Sequence, residues 1–145
     1  MTEKLRRLVL FVCVENTFRS VIAEAMFNHY APSAWRAESA GVKAAAEINP
    51  VAVQVLGEIE IRIADKKPRL VTPQLVTDAS RIVIFGCVDR CLVGAKEKSE
   101  DWPIPGSVGK DGSLRPREEL LVIRGEIERR ALKLIHELGH ASQTE

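Results

Sequence analysis

The chain of 145 residues is 46% hydrophobic and 28% charged, a composition typical of one globular domain and not of a disordered or fibrous chain. Its 21 lysines and arginines nearly balance 20 aspartates and glutamates, which argues against a protein that neutralises nucleic-acid phosphates. No apolar run approaches the roughly 20 residues that cross a bilayer, and Glu15 and Asn16 stand where a signal peptide would need small residues for cleavage. We therefore expect a single domain over residues 1–145 in the cytoplasm, with neither nucleic acid nor a membrane as its partner.

Strand and helix signals alternate along the chain. Continuous apolar runs, many of them β-branched, predict the strands, and apolar residues spaced three or four apart predict the helices. Asn49 before Pro50, and Thr72 before Pro73, are typical helix starts, with a polar cap followed by proline in the first turn. In chain order, the predicted elements are a strand over 8–14, a helix over 20–31, a strand over 35–40, a helix over 50–59, a short helix over 73–76, a strand over 81–86, a brief strand near 101–102 and a helix over 116–139.

This order of elements predicts a three-layer α/β domain with a mostly parallel, four-stranded sheet. In such a domain, ligands bind at the carboxyl ends of the strands, where loops lead into helices. The polar loop after the first strand is therefore the first place to look for a site.

That loop reads Cys13-Val-Glu-Asn-Thr-Phe-Arg-Ser20. Between a buried strand and a helix, it would turn successive backbone N–H groups inward above the helix N-terminus, which makes a cradle for a tetrahedral oxyanion. Arg19 would add a bidentate grip, and the dipoles and the arginine together would favour the thiolate form of Cys13. We expect Ser20 to donate a hydrogen bond to this sulfur and Asn16 to hold the loop in shape.

The predicted site therefore combines one nucleophile with a ring of donors. The oxyanion-binding residues on this interpretation are Glu15, Asn16, Thr17, Phe18, Arg19 and Ser20. We expect the Glu15 side chain to face solvent, because an inward carboxylate would oppose anion binding, and Phe18 to shape the rim or pack against the helix. The alternative is that Cys13 is a small hydrophobic residue at a strand end and Arg19 a solvated helix residue.

With this loop, the chain resembles the low-molecular-weight protein tyrosine phosphatases and the thioredoxin-coupled arsenate reductases built on the same fold. The resemblance covers nearly the whole chain and rests on Cys-x5-Arg-Ser at 13–20, Ala23-Glu-Ala25, Ala37-Glu-Ser-Ala-Gly41, Lys67-Pro68, Leu75-Val76, Gly86-Cys-x3-Cys91, Glu100-Asp-Trp102 and the last helix. It implies a flavodoxin-like fold in which Cys13 attacks the substrate, while Arg19 and the loop backbone hold it. Because both groups share the loop, the loop alone does not distinguish a phosphatase from a reductase.

Cys87 and Cys91 follow a predicted buried strand, at the same sheet edge as the oxyanion loop. If this segment is helical, their Cα atoms are about 6 Å apart, a separation that a disulfide spans with modest adjustment. The alternatives are inert buried thiols, a structural disulfide, or half of a zinc site. Zinc is disfavoured because the chain has only three cysteines and hence no second pair.

The resemblance to the arsenate reductases implies a relay of three thiols. Cys13 would attack arsenate, and Cys87 would then attack the Cys13 sulfur, expelling arsenite and leaving a Cys13–Cys87 disulfide. Cys91 would move the disulfide to Cys87–Cys91, where a thioredoxin-like protein could reduce it. On this interpretation the substrate is arsenate or a phosphate-like oxyanion, the electrons come from an external thiol reductant, and neither a metal nor an organic cofactor takes part.

One residue of the family pattern is missing. Members of the family commonly carry Asp-Pro after the tryptophan, and in the phosphatases that aspartate protonates the leaving group. Aligned on Trp102, the pair falls on Gly106 and Ser107. Loss of such a proton donor costs about a hundred- to ten-thousandfold in rate and should hurt phosphomonoester cleavage most, which favours the reductase. Two alternatives stay open: a phosphatase acting on phosphotyrosine or small phosphomonoesters, with Asp101, Asp111 or Asp89 as a substitute acid, and an oxyanion-binding or redox-sensing module without catalysis.

Overall fold

The computed structural model describes residues 7–43, 45–63, 66–86 and 95–144, with side chains up to residue 139. All strand pairs in these ranges are parallel, and the sheet order is β2-β1-β3-β4. This confirms the predicted α/β class and its flavodoxin-like order. In chain order the elements are β1 (Arg7–Cys13), α1 (Arg19–Tyr30), β2 (Trp35–Gly41), α2 (Pro50–Gly57), α3 (Pro73–Asp78), β3 (Ala79–Ile84), a 3-10 turn (Lys96–Lys98), β4 (Ser99–Asp101) and α4 (Arg117–Thr144).

The register of the sheet brings the ends of four strands to one edge. Cys13 at the end of β1 pairs with Gly41 at the end of β2. On the other side, Val12 of β1 pairs with Ile84 at the end of β3, which in turn pairs with Asp101 at the end of β4. Residues that follow these strands therefore surround the loop after β1, as the topology of a parallel sheet requires.

Two apolar layers enclose the sheet. Because side chains alternate along a strand, β1 contributes to both layers. One layer packs α1, α2 and α4 against Phe11 and Val83, and the other packs Leu75 and Val76 of α3 against Leu10. The predicted burial of the first strand on both faces is confirmed, and with it the three-layer arrangement.

Local signals set two of the helix starts. The Asn49 side chain accepts a hydrogen bond from the Val51 N–H at 2.9 Å, and the Thr72 hydroxyl accepts one from the Leu75 N–H at 3.1 Å. Helix α1 differs, because Phe18 precedes it and no described side chain caps its N-terminus. Its first N–H groups therefore lack a side-chain acceptor, which is the condition for binding an anion at a helix start.

Several predicted boundaries differ from the structure, most of them by one or two residues, and two of the differences concern glycines. Strand β3 spans Ala79–Ile84 and not residues 81–86, because the chain leaves strand geometry before Gly86, whose φ is +88°. The last helix does not end at Gly139 but runs to Thr144, because a glycine inside a helix costs only about 1 kcal/mol and does not break it. In the described ranges, no helix combines the length and the apolarity needed to span a membrane.

Candidate active site

An open cavity of about 260 Å³ lies where β1 leads into α1. The oxyanion loop (residues 13–20) forms one side of it, and the rim segment (residues 106–108) forms the other. Cys13 lines this cavity although the residue is only 4% exposed, so the predicted nucleophile and the predicted guanidinium face the same space. The lining residues are Cys13, Val14, Glu15, Thr17, Phe18, Arg19, Gly106, Ser107 and Val108.

The backbone of the oxyanion loop is held by the segment that follows β2. N–H groups within residues 42–49 donate to four carbonyl oxygens of the loop at 2.8 to 3.2 Å. The C=O and N–H of a trans peptide unit point in opposite directions, so the N–H groups of the same units point away from residues 42–49. This is the orientation that an anion cradle needs. The accepting carbonyls belong to Cys13, Val14, Glu15 and Thr17.

Gly41 allows this close approach. A Cβ at position 41 would lie 2.7 Å from the carbonyl oxygen of Val14 and 2.9 Å from the backbone nitrogen of Asn16. Both distances are shorter than real Cβ contacts, and both involve backbone that cannot swing aside. The end of β2 therefore accepts no side chain at this position, which gives a physical reason for the glycine that closes the Ala37–Gly41 segment.

Asn16 holds the loop from the side opposite the cavity. It is fully buried, and its φ of +59° is a left-handed conformation that asparagine tolerates better than most residues. Its Oδ1 accepts a hydrogen bond from the Arg69 N–H at 3.0 Å, and its Nδ2 donates to Ser20 Oγ at 2.9 Å and to Ser39 Oγ at 3.0 Å. Asn16 therefore holds the loop in shape as expected, and its place among the oxyanion-binding residues stays a prediction.

The Cys13 sulfur contacts the hydroxyl of Ser20. The two atoms are 2.9 Å apart, and either could be the donor. Ser20 Oγ already accepts a hydrogen from Asn16 Nδ2, so the serine's own hydrogen is free to point at the sulfur. A hydrogen bond donated to sulfur favours the thiolate over the thiol. The predicted Cys13–Ser20 contact is therefore present.

Arg19 is fixed at the wall of the cavity. Its Nη1 donates to the carbonyl oxygens of Phe85 at 3.2 Å and Ile104 at 2.9 Å. The guanidinium carbon also lies 5.7 Å from the centroid of the Phe85 ring, which is within the range of a cation–π contact. These bonds use Nη1. No described residue accepts a hydrogen bond from Nε or Nη2, so their hydrogens are available to an oxyanion.

The rim segment brings Gly106 against Arg19 without an acid. A Cβ at position 106 would lie 3.6 Å from Arg19 Nε, so a side chain there would meet the guanidinium. The Ser107 hydroxyl accepts a hydrogen bond from Asn49 Nδ2 at 3.2 Å. Among the described residues that line the cavity, the only carboxylate belongs to Glu15, which is exposed to solvent as predicted.

Of the three substitute acids, Asp89 lies outside the described residues, and the other two are engaged elsewhere. Asp101 accepts a hydrogen bond from the Gly86 N–H at 2.8 Å. Asp111 accepts hydrogen bonds from the backbone N–H and the hydroxyl of Ser113, and these bonds lower the pKa of Asp111. Neither aspartate lines the cavity, so neither is placed as a proton donor.

The predicted resolving cysteines, Cys87 and Cys91, lie outside the described residues. Shortly before them, the described Phe85 carbonyl accepts a hydrogen bond from Arg19. Within the described ranges, no group of three or more His, Cys, Asp or Glu side chains is arranged to hold a metal ion.

The sequence patterns did not reveal that Glu24 and Ser39 meet behind the oxyanion loop. Glu24 accepts hydrogen bonds on one carboxylate oxygen from the Ser39 hydroxyl and from Lys66 Nζ, the latter at 2.7 Å. Glu24 and Ser39 stand within the segments Ala23–Ala25 and Ala37–Gly41 that support the family resemblance, but spacing along the chain gives no sign that they meet.

Comparison with known proteins adds an independent line of evidence. Residues 8–90 match the family described as "Low molecular weight phosphotyrosine protein phosphatase". The chain is also similar to an arsenate reductase of Shouchella clausii, with 30% identity over 115 residues that cover 77% of this chain and 82% of the relative.

Two solved structures are similar over most of the chain. One is the arsenate reductase from Archaeoglobus fulgidus, with 37% identity, a TM-score of 0.70 and coverage of 88% of this chain and 98% of that one. The other is a thioredoxin-dependent arsenate reductase of Corynebacterium glutamicum, with 31% identity and a TM-score of 0.72. The match covers 93% of this chain but only 64% of the Corynebacterium chain, so this protein spans less than two thirds of that relative.

Proposed function

Because the chain belongs to the low-molecular-weight phosphotyrosine protein phosphatase family, in the branch that includes the arsenate reductases, we propose that it reduces arsenate to arsenite with Cys13 as the nucleophile. One observation carries the proposal: the Cys13 sulfur, hydrogen-bonded to Ser20, shares a cavity with Arg19, and no acid stands at Gly106. Such a site would hold a tetrahedral oxyanion and attack it, and no described residue of the cavity is placed as the proton donor that a phosphatase needs.

The first step is attack of the Cys13 thiolate on arsenic. The loop N–H groups and Arg19 hold the arsenate oxygens, an S–As bond forms, and an arsenate oxygen that is already protonated takes up a second proton from solvent and leaves as water. The developing negative charge on the oxygens is stabilised by the same donors that bind the ground state, most strongly by the guanidinium. At this stage arsenic is still in its oxidised state.

The second step is the reduction itself. The Cys87 thiolate attacks the Cys13 sulfur, the S–S bond forms, the S–As bond breaks, and its electron pair stays on arsenic, which leaves as arsenite. The Cys91 thiolate then attacks Cys87 and releases the Cys13 thiol. The product is a Cys87–Cys91 disulfide, which accepts two electrons from an external dithiol. We infer a thioredoxin-like protein as that reductant, supported by the thioredoxin dependence of the Corynebacterium relative.

Phosphomonoester hydrolysis is the competing function, because the same loop and arginine would hold a phosphate group. It demands a proton for the departing alkoxide or phenolate, and that proton is worth about a hundred- to ten-thousandfold in rate. Arsenite instead departs by thiolate attack at sulfur, which needs no acid at the rim. Gly106 against Arg19 therefore favours the reductase over the phosphatase.

Mapping of disulfides by mass spectrometry tests this proposal. The reduced protein receives one equivalent of arsenate, and we expect a Cys87–Cys91 disulfide that does not form with phosphate. Cys91→Ser should stop the reaction at a Cys13–Cys87 disulfide, and Cys13→Ser should abolish arsenate-dependent oxidation. Hydrolysis of an aryl phosphate that survives Cys87→Ser and Cys91→Ser, together with no arsenate-dependent disulfide, would overturn the assignment in favour of the phosphatase.

A further inference from the structure

A continuous line of hydrogen bonds leaves the active-site sulfur and ends at an ion pair between α1 and residue 66. It runs from Cys13 to Ser20, then to Asn16 and Ser39, and from Ser39 to Glu24, which pairs with Lys66. Asn16, Ser20 and Ser39 are each fully buried. A buried chain of this kind polarises along its length and is costly to leave partly unmade.

The directions of the bonds from Asn16 to Glu24 are fixed, and they leave the Ser20 hydrogen available for the sulfur. The Arg69 N–H can only donate, so the Asn16 side chain must turn its oxygen to Arg69 and its NH₂ group to the two serines. Ser39 Oγ therefore accepts from Asn16 and sends its own hydrogen to the Glu24 carboxylate. Ser20 Oγ likewise accepts from Asn16, and its hydrogen is left for Cys13.

The ion pair sits at the point where this line is anchored. Lys66 Nζ and the Ser39 hydroxyl donate to the same oxygen of Glu24. The two charged side chains are only 18% and 19% exposed, so solvent screens their attraction far less than it screens an exposed pair. The neighbouring pair of Lys67 with Glu47 is different, at 3.8 Å with side chains 71% and 78% exposed.

We propose that Lys66 and Glu24 are positioning residues for the Cys13 thiolate, acting through Ser39, Asn16 and Ser20. Lys66 neutralises and orients the Glu24 carboxylate, which holds the Ser39 hydrogen and so keeps the Ser39 oxygen turned to Asn16. Asn16 then presents its second amide hydrogen to Ser20, whose hydroxyl hydrogen stays on sulfur. This inference rests on the proposed role of Cys13 as the nucleophile. It concerns the availability of the Cys13 thiolate, which can be measured without arsenate.

Alkylation of Cys13 by iodoacetamide at neutral pH, followed by mass spectrometry of the peptide that contains Cys13, measures the availability of its thiolate. We expect Lys66→Met to slow alkylation by about three- to tenfold, the effect of losing one buried hydrogen-bond partner. Lys66→Arg, which keeps the charge, should restore most of the rate. The matched control is Lys67→Met, which removes the exposed lysine next along the chain and should leave the rate unchanged.

A second background separates positioning from a general loss of structure. If Lys66 acts through Ser20, Lys66→Met should have no further effect on the alkylation rate in a Ser20→Ala protein. Equal slowing in both backgrounds, or no slowing in either, would overturn the proposal. Urea unfolding checks that the variants are folded, and if Lys66→Met is not, Glu24→Gln takes its place with the same expectations.

These outcomes are distinct from those of the proposed function. An arsenate-dependent disulfide in the wild-type protein tests the reductase assignment and does not involve Lys66. Slowed alkylation that depends on Ser20 supports the positioning role even if no disulfide forms, and an unchanged rate rejects that role even if arsenate is reduced.

Discussion

Two glycines on opposite sides of the cavity behave differently. At Gly41, behind the oxyanion loop, an added Cβ would meet only backbone atoms at 2.7 to 2.9 Å. At Gly106, in the rim segment, an added Cβ would meet only the Arg19 side chain, at 3.6 Å or more. A side chain at position 41 therefore requires the backbone to move, whereas position 106 has room for one.

The surroundings of the two regions explain this difference. The oxyanion loop is tied by four backbone hydrogen bonds from residues 42–49 and by the buried Asn16 side chain. The rim segment is held by Arg115, whose Nε and N–H donate to the carbonyls of Gly106 and Ser107, and it ends at Val108, which is 50% exposed. On the proposed function, oxyanion binding depends on the tightly held loop, whereas the rim segment determines whether an acid stands beside Arg19.

A substitution that displaces the oxyanion loop should have the largest effect. Gly41→Ala would push the loop backbone away from β2, and we expect destabilisation of about 1–3 kcal/mol from overpacking. Arsenate turnover should fall about a hundredfold, because a displacement of roughly 1 Å at the reacting atoms costs that much. Urea unfolding and arsenate-dependent thiol oxidation measure the two effects.

Gly57→Ala is the matched control for this substitution, because a Cβ at position 57 of α2 meets no atom within 4 Å. We expect Gly57→Ala to leave turnover unchanged. Wild-type turnover in Gly41→Ala would mean that the loop does not depend on the close approach of β2.

A substitution in the rim segment should add an activity. Gly106→Asp would place a carboxyl group beside Arg19, at the position where the family's phosphatases carry their acid. We expect hydrolysis of an aryl phosphate to rise by at least about tenfold, a part of what general acid catalysis contributes. Gly106→Asn has the same shape without a proton to donate, so its rate should stay at the wild-type level. Equal rates for the two variants would show that the missing acid does not limit phosphatase chemistry.

The smallest expected effect concerns Glu38, which pairs with Arg69 behind the oxyanion loop. Burial by itself would raise the pKa of Glu38, but hydrogen bonds and attraction from Arg36 and Arg69 outweigh it and lower the pKa below the ordinary 4.5. Arg69 is also the residue whose N–H fixes Asn16. Glu38→Gln should therefore cost at most about 1 kcal/mol of stability at neutral pH, since the pair is partly exposed.

The sign of the pH dependence follows from this lowered pKa. The contribution of Glu38 is fully present above pH 4.5 and is lost as the pH falls through the lower pKa of the folded state, because the carboxylate is then protonated in both states. Unfolding curves of wild type and Glu38→Gln should therefore converge in acid. A difference in stability that stays constant down to acidic pH would show that Glu38 acts by packing and not by its charge.

Much of the fold was predictable because its signals are local. The apolar run at β1, the caps at Asn49 and Thr72, and the alternation of strands and helices require knowledge of only a few neighbouring residues. Two of the boundary errors fall at Gly86 and Gly139, where a glycine alone does not determine whether an element continues.

The candidate site also combines features that were predictable from the sequence with features that were not. The loop with Cys13, Arg19 and Ser20 could be predicted from the residues alone, because a strand, a loop and a helix in succession set the directions of the N–H groups within eight residues. The surroundings of that loop could not be predicted in this way: Gly106 against Arg19, Gly41 against Val14, and Lys66 at the end of a line of hydrogen bonds. These contacts join segments that are far apart along the chain, and the register of the parallel sheet sets which of them meet.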